Sequence, residues 1–330
     1  MTKAASSDTI ENRKCHKGIK GGSHMKYLQI PGSDLKVSNI VMGCMRINGL
    51  DAPAREKLIR TAMEAGVNMF DHADIYGGGE CEELFAEAVQ MNSSVREKMV
   101  LQSKCGIRNG YYDFSREHIL KSVDGILKRL HTDYLDILLL HRPDALVEPE
   151  EVAEALQILF DEGKVRYFGV SNQNPAQIEL LQRAFGQKFL FNQLQMSVVH
   201  SPLVDSGMAV NMHIDQSVDR TGSTLEYCRL NNITIQAWSP FQKGFFEGPF
   251  LGDLEKYAEL NRKCEELAEK YGVTPTGIAV AWLTRHPANI QVVLGTTRPS
   301  RMLEGCAGSE IPLAREEWYG LYKAAGNMVP

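Results

Sequence analysis

A chain of 330 residues with 43% hydrophobic and 23% charged residues has the composition of a globular protein with a substantial core. Its formal net charge of −5, without a long basic run, argues against a nucleic acid or an acidic membrane as partner. Seven irregularly spaced cysteines without a CxxC pair predict reduced thiols and a cytoplasmic location, and no apolar run is long enough for a membrane helix.

The first 24 residues are polar and lack the apolar core of a signal peptide. The run from Gly21 to Met25 resembles the junction that an expression tag leaves, so we place the natural start at Met25. We therefore expect residues 1–24 to be a tag or a disordered extension, and residues 25–330 to carry the fold.

From Met25 onward, short apolar runs alternate with helical patterns. Gln29–Ser38 predicts a small hairpin. Eight apolar runs then predict buried strands: Ile40–Met42, Val67–Phe70, Met99–Ser103, Tyr134–Leu140, Val165–Val170, Phe189–Gln195, Ile233–Ala237 and Ile290–Leu294. Segments with a repeat near 3.6 residues predict helices: Ala54–Ala65, Cys81–Val89, Glu117–Leu130, Pro149–Glu162, Ala176–Phe185, Thr221–Leu230 and Leu254–Tyr271.

Alternating strands and helices are typical of a doubly wound sheet or of a closed barrel. Unbroken apolar runs such as Leu135–Leu140 indicate a parallel sheet covered on both faces. Eight strands without a break in composition favour a (β/α)8 TIM barrel with an N-terminal β-hairpin, as a single domain. No GxGxxG motif follows a strand, which disfavours a Rossmann dehydrogenase.

Ionisable residues follow three consecutive predicted strands, at the barrel end where active sites form. Asp71 follows the second strand, Lys104 the third and His141 the fourth. Charged groups in apolar surroundings are costly unless they are paired, so we expect these side chains to meet. A Lys104 ammonium beside Tyr76 is expected to lower the phenol pKa and to bring proton donation into range. The predicted site protonates a carbonyl oxygen while a hydride reaches the carbon, without a metal.

The motifs around these residues resemble the aldo-keto reductase superfamily. They are FDHADIYG, LQSKCG, LLLHRPD, FGVSN and QAWSPF, within a similarity that runs from about Gly43 to about Gly305. LLLHRPD with QAWSPFQ is closer still to bacterial oxidoreductases of the YdhF-like group. The resemblance implies NADPH-dependent reduction of aldehydes or ketones by a tetrad of Asp71, Tyr76, Lys104 and His141.

The resemblance also implies an NADP(H) site along the strand ends. Its first part comprises Gly43, Cys44, Met45 and Asp71 near the nicotinamide ribose, and Ser171, Asn172 and Gln193 at the carboxamide. Trp238 matches the aromatic residue on which the nicotinamide ring stacks, followed by Ser239 and Pro240. The resemblance places the phosphates and the adenine at the segment that leads into a helix near Ser300, where backbone N–H groups attract anions. The residues expected there are Gly295, Thr296, Thr297, Arg301 and Glu304.

Two other interpretations stay open: Lys104 as the Schiff-base lysine of a barrel aldolase, and a nucleotide-binding sensor or assembly subunit with little turnover. We expect the loops Arg46–Asp51, Val198–Asp219 and Phe241–Phe250 to set the substrate. The four phenylalanines of the last loop favour aromatic or apolar aldehydes and ketones. We expect a monomer whose partner is a small carbonyl compound.

Overall fold

The structure, a computed structural model, describes residues 25–329, and the expected tag or extension at residues 1–24 lies outside them. Strands β1 (Tyr27–Gln29) and β2 (Lys36–Ser38) pair antiparallel and form the predicted hairpin. Eight further strands are parallel and close into a barrel, which confirms the (β/α)8 fold. In chain order they are β3 (Ile40–Gly43), β4 (Met69–Asp71), β5 (Val100–Cys105), β6 (Leu135–Leu140), β7 (Val165–Ser171), β8 (Phe189–Gln195), β9 (Thr234–Trp238) and β10 (Gln291–Leu294). The circle closes between β10 and β3.

Twelve α-helices lie within the described residues. They are α1 (Ala52–Glu64), α2 (Glu80–Ala88), α3 (Ser93–Arg96), α4 (Arg116–Leu130), α5 (Pro149–Asp161), α6 (Pro175–Ala184), α7 (Pro202–Met208), α8 (Thr224–Leu230), α9 (Ala258–Tyr271), α10 (Pro275–Thr284), α11 (Pro299–Cys306) and α12 (Arg315–Ala324). None of the helices between residues 25 and 329 combines the length and the apolar character needed to span a membrane.

Helix α4 illustrates why these segments are helical. The Ser115 hydroxyl accepts a hydrogen bond from the backbone N–H of His118, which satisfies one of the free donors at the helix start. His131 ends the helix in the left-handed conformation, with a φ of 52°. Apolar residues recur every three or four positions and bury one face of the helix: Ile119, Val123, Ile126, Leu127 and Leu130.

The hairpin covers the N-terminal end of the barrel. Its buried side chains are Leu28, Ile30, Leu35 and Val37, and they form one cluster with residues of five barrel strands: Val41, Met69, Ile137, Leu139, Leu190, Phe191 and Val293. The Gln291 amide, on the first residue of β10, donates to the Ser38 carbonyl at 2.8 Å. Within the described residues the hairpin therefore closes the floor of the barrel.

Several regions differ from the expectations of the sequence. The connection Val198–Asp219 is not a plain loop, because it contains helix α7 and a 3-10 turn at Asp215–Ser217. Helix α10 escaped prediction because residues 277–284 are all buried, so no apolar stripe marks one face. Helix α9 begins at Ala258 rather than at Leu254, and α3, α7 and α12 have no counterpart among the predicted helices.

Candidate active site

The four side chains of the predicted tetrad meet at the C-terminal end of the barrel. Asp71 ends β4, Lys104 lies on β5, and His141 directly follows β6. The Lys104 Nζ lies 2.8 Å from the Asp71 carboxylate and 3.1 Å from the Tyr76 hydroxyl. The rings of Tyr76 and His141 are nearly perpendicular, with centroids 6.0 Å apart. The positions of these residues at the strand ends therefore correctly predicted that their side chains lie close together.

Lys104 is fully buried, and all its hydrogen-bonding capacity is used. An ammonium has three N–H donors. They go to Asp71, to the Tyr76 hydroxyl, and to the His72 carbonyl at 2.7 Å. Burial lowers the pKa of Lys104, but the Asp71 carboxylate and the Tyr76 hydroxyl outweigh burial and hold this pKa above its ordinary value. Lys104 is therefore a fixed positive charge.

The sequence-based expectation for the pKa of Tyr76 is wrong in direction. Burial raises the pKa of Tyr76 above its usual range, and the nearby Lys104 ammonium offsets burial only in part. The Asp71 carboxylate adds to the rise, because a negative charge disfavours a phenolate. Tyr76 is therefore a neutral phenol at neutral pH. Its oxygen accepts from Lys104, so its own O–H is free to donate.

His141 is neutral at neutral pH. Burial lowers its pKa well below the ordinary range, and the positive charges of Lys104 and Arg142 lower it further. Within the described residues its Nδ1 has no hydrogen-bond partner, and its side chain lines the cavity described below. A neutral imidazole at this position can donate one hydrogen bond to a ligand oxygen.

Four buried glutamines form a hydrogen-bonded network with Asp71, called here the glutamine layer: Gln102, Gln193, Gln236 and Gln291. The amides of Gln102 and Gln193 donate to the Asp71 Oδ1 at 2.6 and 3.0 Å. Gln236 accepts from both amides and donates to Gln102 and to Gln291. Gln102, Gln236 and Gln291 were missed from sequence, although the alternation along β5 puts Gln102 on the same face as Lys104.

A cavity of about 910 Å³ opens above these residues. Of the residues expected at the cofactor, thirteen line it: Gly43, Met45, Asp71, Ser171, Asn172, Gln193, Trp238, Ser239, Pro240, Gly295, Thr296, Thr297 and Arg301. Cys44 and Glu304 do not. The Cys44 side chain is fully buried in the main hydrophobic cluster, its thiol near the Met42 carbonyl, and Glu304 is a half-buried residue of α11. The structure therefore does not bring these two side chains to the cavity, and their contacts to a cofactor stay predictions.

The part of the cavity above β7, β8 and β9 presents amide groups beside an indole ring. The Trp238 indole N–H donates to the Asn172 Oδ1 at 3.2 Å, and the Asn172 amide donates to the Ser171 hydroxyl at 2.7 Å. Asn172 adopts a positive φ of 58°, which asparagine tolerates better than most residues. The Gln193 amide points to Asp71, so its Oε1 is left to accept a hydrogen bond from a ligand. This donor set fits a carboxamide.

The part of the cavity above β10 and β3 is rich in arginine. Arg298 precedes α11 and Arg301 lies in its first turn, and both line the cavity. Arg46, which follows β3, donates from its Nε and Nη2 to the Gly295 carbonyl at 3.1 and 2.5 Å. Arg46 was assigned from sequence to the substrate, but it lies at this arginine-rich end. Guanidinium groups beside a helix start fit the phosphates of a dinucleotide.

The remaining wall is largely aromatic. Phe245 and Phe246, from the predicted loop Phe241–Phe250, line it together with Tyr112 and Arg142. No residue of Val198–Asp219 lines the cavity, so the role of that connection in substrate choice stays a prediction without support from the cavity wall. Tyr112 and Arg142 were missed because each lies in a loop without an apolar pattern, although Arg142 directly follows His141.

Comparisons with known proteins identify the family of this chain. A model of the aldo/keto reductase family matches residues 39–324. The oxidoreductase YdhF of Escherichia coli (strain K12) is 35% identical over 305 residues, covering 89% of this chain and 95% of YdhF. A 6-dehydroglucose reductase of Agrobacterium fabrum is 33% identical over 306 residues, covering 88% of this chain and 95% of that protein.

A solved structure gives the same result for the fold. The thermostable aldo-keto reductase Tm1743, in complex with the inhibitor epalrestat, matches with a TM-score of 0.73 and 26% identity, covering 91% of this chain and 100% of that one. The chain therefore belongs to the aldo/keto reductase family. Within it, the chain falls into the YdhF-like group of oxidoreductases.

Proposed function

We propose that this protein reduces aldehydes or ketones to alcohols with NADPH, and that Tyr76 is the general acid. One observation carries the proposal. Because the three donors of Lys104 go to Asp71, His72 and Tyr76, the Tyr76 oxygen accepts a hydrogen bond and its O–H is left for a ligand. A neutral phenol beside a fixed ammonium is suited to give up a proton when negative charge develops on a substrate oxygen.

The proposed reaction follows from these protonation states. Tyr76 and the neutral His141 each donate a hydrogen bond to the carbonyl oxygen. A bound reduced nicotinamide supplies the hydride that reaches the carbonyl carbon. The Tyr76 proton passes to the oxygen, and the Lys104 ammonium at 3.1 Å stabilises the phenolate that remains. Asp71 keeps Lys104 charged and oriented, and a solvent proton restores the phenol.

We infer that NADPH lies along the strand ends of β3 and β7 to β10. Trp238 offers its ring to the nicotinamide, and Asn172 and Gln193 offer amide groups to the carboxamide. Arg298 and Arg301 are suited to the phosphates, and the absence of an acidic residue beside them within the described cavity wall favours NADPH over NADH.

The aldolase alternative has little support. A Schiff-base lysine must reach its substrate and lose its proton. Lys104 is fully buried behind Asp71 and Tyr76, does not line the cavity, and is held charged. We further propose that one chain is a complete enzyme and a monomer, since every group named above comes from the same barrel. We also propose a cytoplasmic location, for which the support is that the six described cysteines are all buried and unpaired.

The substitution Tyr76→Phe tests whether Tyr76 is the general acid. We expect NADPH to bind with unchanged affinity, and the rate of aldehyde reduction to fall by about 10²- to 10⁴-fold, because the proton donor is lost while the ring stays. The measurement is NADPH oxidation by absorbance with a panel of small aldehydes, beside cofactor binding by fluorescence. Tyr111→Phe is the matched control, since Tyr111 is 54% exposed and does not line the cavity.

Full activity of Tyr76→Phe removes Tyr76 from the acid role. Binding of NADPH by the wild type without oxidation in the presence of any aldehyde or ketone supports the sensor or assembly interpretation instead. Equal values of kcat/KM with NADPH and NADH contradict the proposed preference for NADPH.

A further inference from the structure

The cavity is strongly cationic in a chain whose formal net charge is −5. Four arginines line it: Arg46, Arg142, Arg298 and Arg301. Among the described residues of its wall, Asp71 is the one carboxylate, and Lys104 already neutralises it. The cavity therefore offers more positive charge than its own walls balance, which suits anionic ligands.

The four arginines occupy two separate positions on the barrel. Arg46, Arg298 and Arg301 follow β3 and β10, which are neighbours in the barrel. Arg142 follows β6, which is four strands from β10 in either direction around the circle. The phosphates of a dinucleotide at the first position leave the charge of Arg142, on the opposite wall, unmatched.

Arg142 has no anionic partner within the described chain. No carboxylate of residues 25–329 lies within 4.0 Å of its guanidinium nitrogens, and its side chain makes no hydrogen bond there. Its guanidinium carbon lies 5.8 Å from the ring centroid of Trp238 and 5.8 Å from that of Phe245. These rings lie beside the guanidinium but leave its charge uncompensated, and because the side chain is half-buried its attraction for an anion is screened less than in bulk water.

The geometry points to a substrate that carries a carboxylate beside its carbonyl group, and we propose that Arg142 is the residue that selects it. The inference rests on the proposed function, because the carbonyl has to reach Tyr76 and His141. Arg142 directly follows His141 and both side chains line the same cavity, so one small molecule can place its carbonyl at His141 and a carboxylate at Arg142. The planar guanidinium can bind a carboxylate through two parallel hydrogen bonds, while Phe245 and Tyr112 provide contact for an apolar or aromatic body.

The test compares two aldehydes of the same shape and different charge, 4-formylbenzoate and 4-formylbenzamide. We expect wild type to reduce the carboxylate with a kcat/KM about ten- to hundredfold higher than the amide. In Arg142→Gln the ratio of kcat/KM for the carboxylate to kcat/KM for the amide falls to about one. Arg142→Lys retains part of this preference, because the positive charge stays while the two parallel N–H donors of the guanidinium are lost. Arg301→Gln is the matched control, in which the KM for NADPH rises and the ratio stays high.

The outcomes separate the two proposals. A wild type that reduces both aldehydes equally well overturns the inference and leaves the proposed reduction standing. A raised KM for NADPH in Arg142→Gln with an unchanged ratio also overturns it, because Arg142 then serves the cofactor phosphates. If neither aldehyde is reduced, the proposed function fails, and calorimetric binding of 4-formylbenzoate decides the inference: weaker binding by Arg142→Gln supports it, and equal binding overturns it.

Discussion

Asp71 and His72 are neighbours in sequence with opposite surroundings. Successive side chains of a strand point to opposite faces, so Asp71 faces the barrel interior while His72 packs edge-on against Phe85, with ring centroids 4.6 Å apart. Both nitrogens of the His72 ring are buried without a partner in the described residues. Burial, assisted by the charge of Lys104, lowers the pKa of His72 to about 3.

This buried histidine makes the fold sensitive to acid. The folded-state pKa of about 3 lies below the ordinary value of 6.5, so the unfolded chain binds the extra proton between these two pH values. The free energy of unfolding therefore falls as the pH drops below 6.5, by about 2 kcal/mol at pH 5 from His72 alone. We expect His72→Leu to lose less stability between pH 8 and pH 5 than wild type does.

Urea unfolding at the two pH values measures this difference. His213→Leu is the control. Because His213 is exposed, we expect this variant to lose as much stability between pH 8 and pH 5 as wild type does. If His72→Leu loses as much stability between pH 8 and pH 5 as wild type does, the acid sensitivity does not come from the His72 ring.

At the scale of elements, the glutamine layer connects four strands to the Asp71 carboxylate. Gln102 on β5 donates to Asp71 at 2.6 Å, whereas Gln291 on β10 reaches Asp71 only through Gln236. A hydrogen bond to a charged group stabilises that charge by about 1.5–3 kcal/mol. Gln102 is therefore a positioning residue that helps to keep the Asp71–Lys104 pair charged.

We expect Gln102→Leu to lower kcat for aldehyde reduction by about ten- to hundredfold and to leave the KM for NADPH unchanged, because the Asp71 carboxylate loses a donor and holds Lys104 less firmly. The measurement is kcat and KM from initial rates of aldehyde reduction on fully folded samples. Gln291→Leu is the matched control: it also loses a buried amide and stability, but its kcat stays near that of wild type. Equal kcat values for the two variants show that Gln102 has a structural role alone.

How far the sequence predicts these elements depends on how each one is buried. The strands are continuous apolar runs, so all eight were found, and the tetrad followed because Asp71, Lys104 and His141 end consecutive strands. Helix α10 is buried on every side and gives no period. The pairing of the glutamines depends on the barrel register, with Gln102 beside Asp71 and Gln291 beside Gln236, which no local pattern encodes. The predicted direction of the Tyr76 pKa shift was wrong because burial raises this pKa by more than the nearby Lys104 charge lowers it. Burial is a property of the folded state, which no local sequence pattern gives.

At the scale of the whole molecule, the closed floor and the open cavity lie at opposite ends of the barrel. Ile30 is 1% exposed within the floor cluster and does not line the cavity. We expect Ile30→Ala to lower the free energy of unfolding by about 2–5 kcal/mol through the lost burial and the void that remains. Since the void lies at the far end, kcat and KM below the unfolding temperature stay at their wild-type values.

Denaturant unfolding and aldehyde reduction on the same preparations check this separation. Lys36→Ala, an exposed change on the same hairpin, is the control and is expected to alter stability by less than about 0.5 kcal/mol. A fall in kcat for Ile30→Ala at a temperature where it is fully folded contradicts the independence of floor and cavity.

The hydrogen bonds from Arg46 to the Gly295 carbonyl bridge the loops after β3 and β10 across the end of the cavity assigned to the cofactor phosphates. A phosphate that binds there competes with the carbonyl for the same guanidinium, and a charged acceptor is the stronger of the two. Departure of the nucleotide then requires these contacts to break again before the original bridge re-forms. On the proposed function, we therefore expect release of the oxidised nucleotide, rather than the chemistry at Tyr76, to limit the turnover rate.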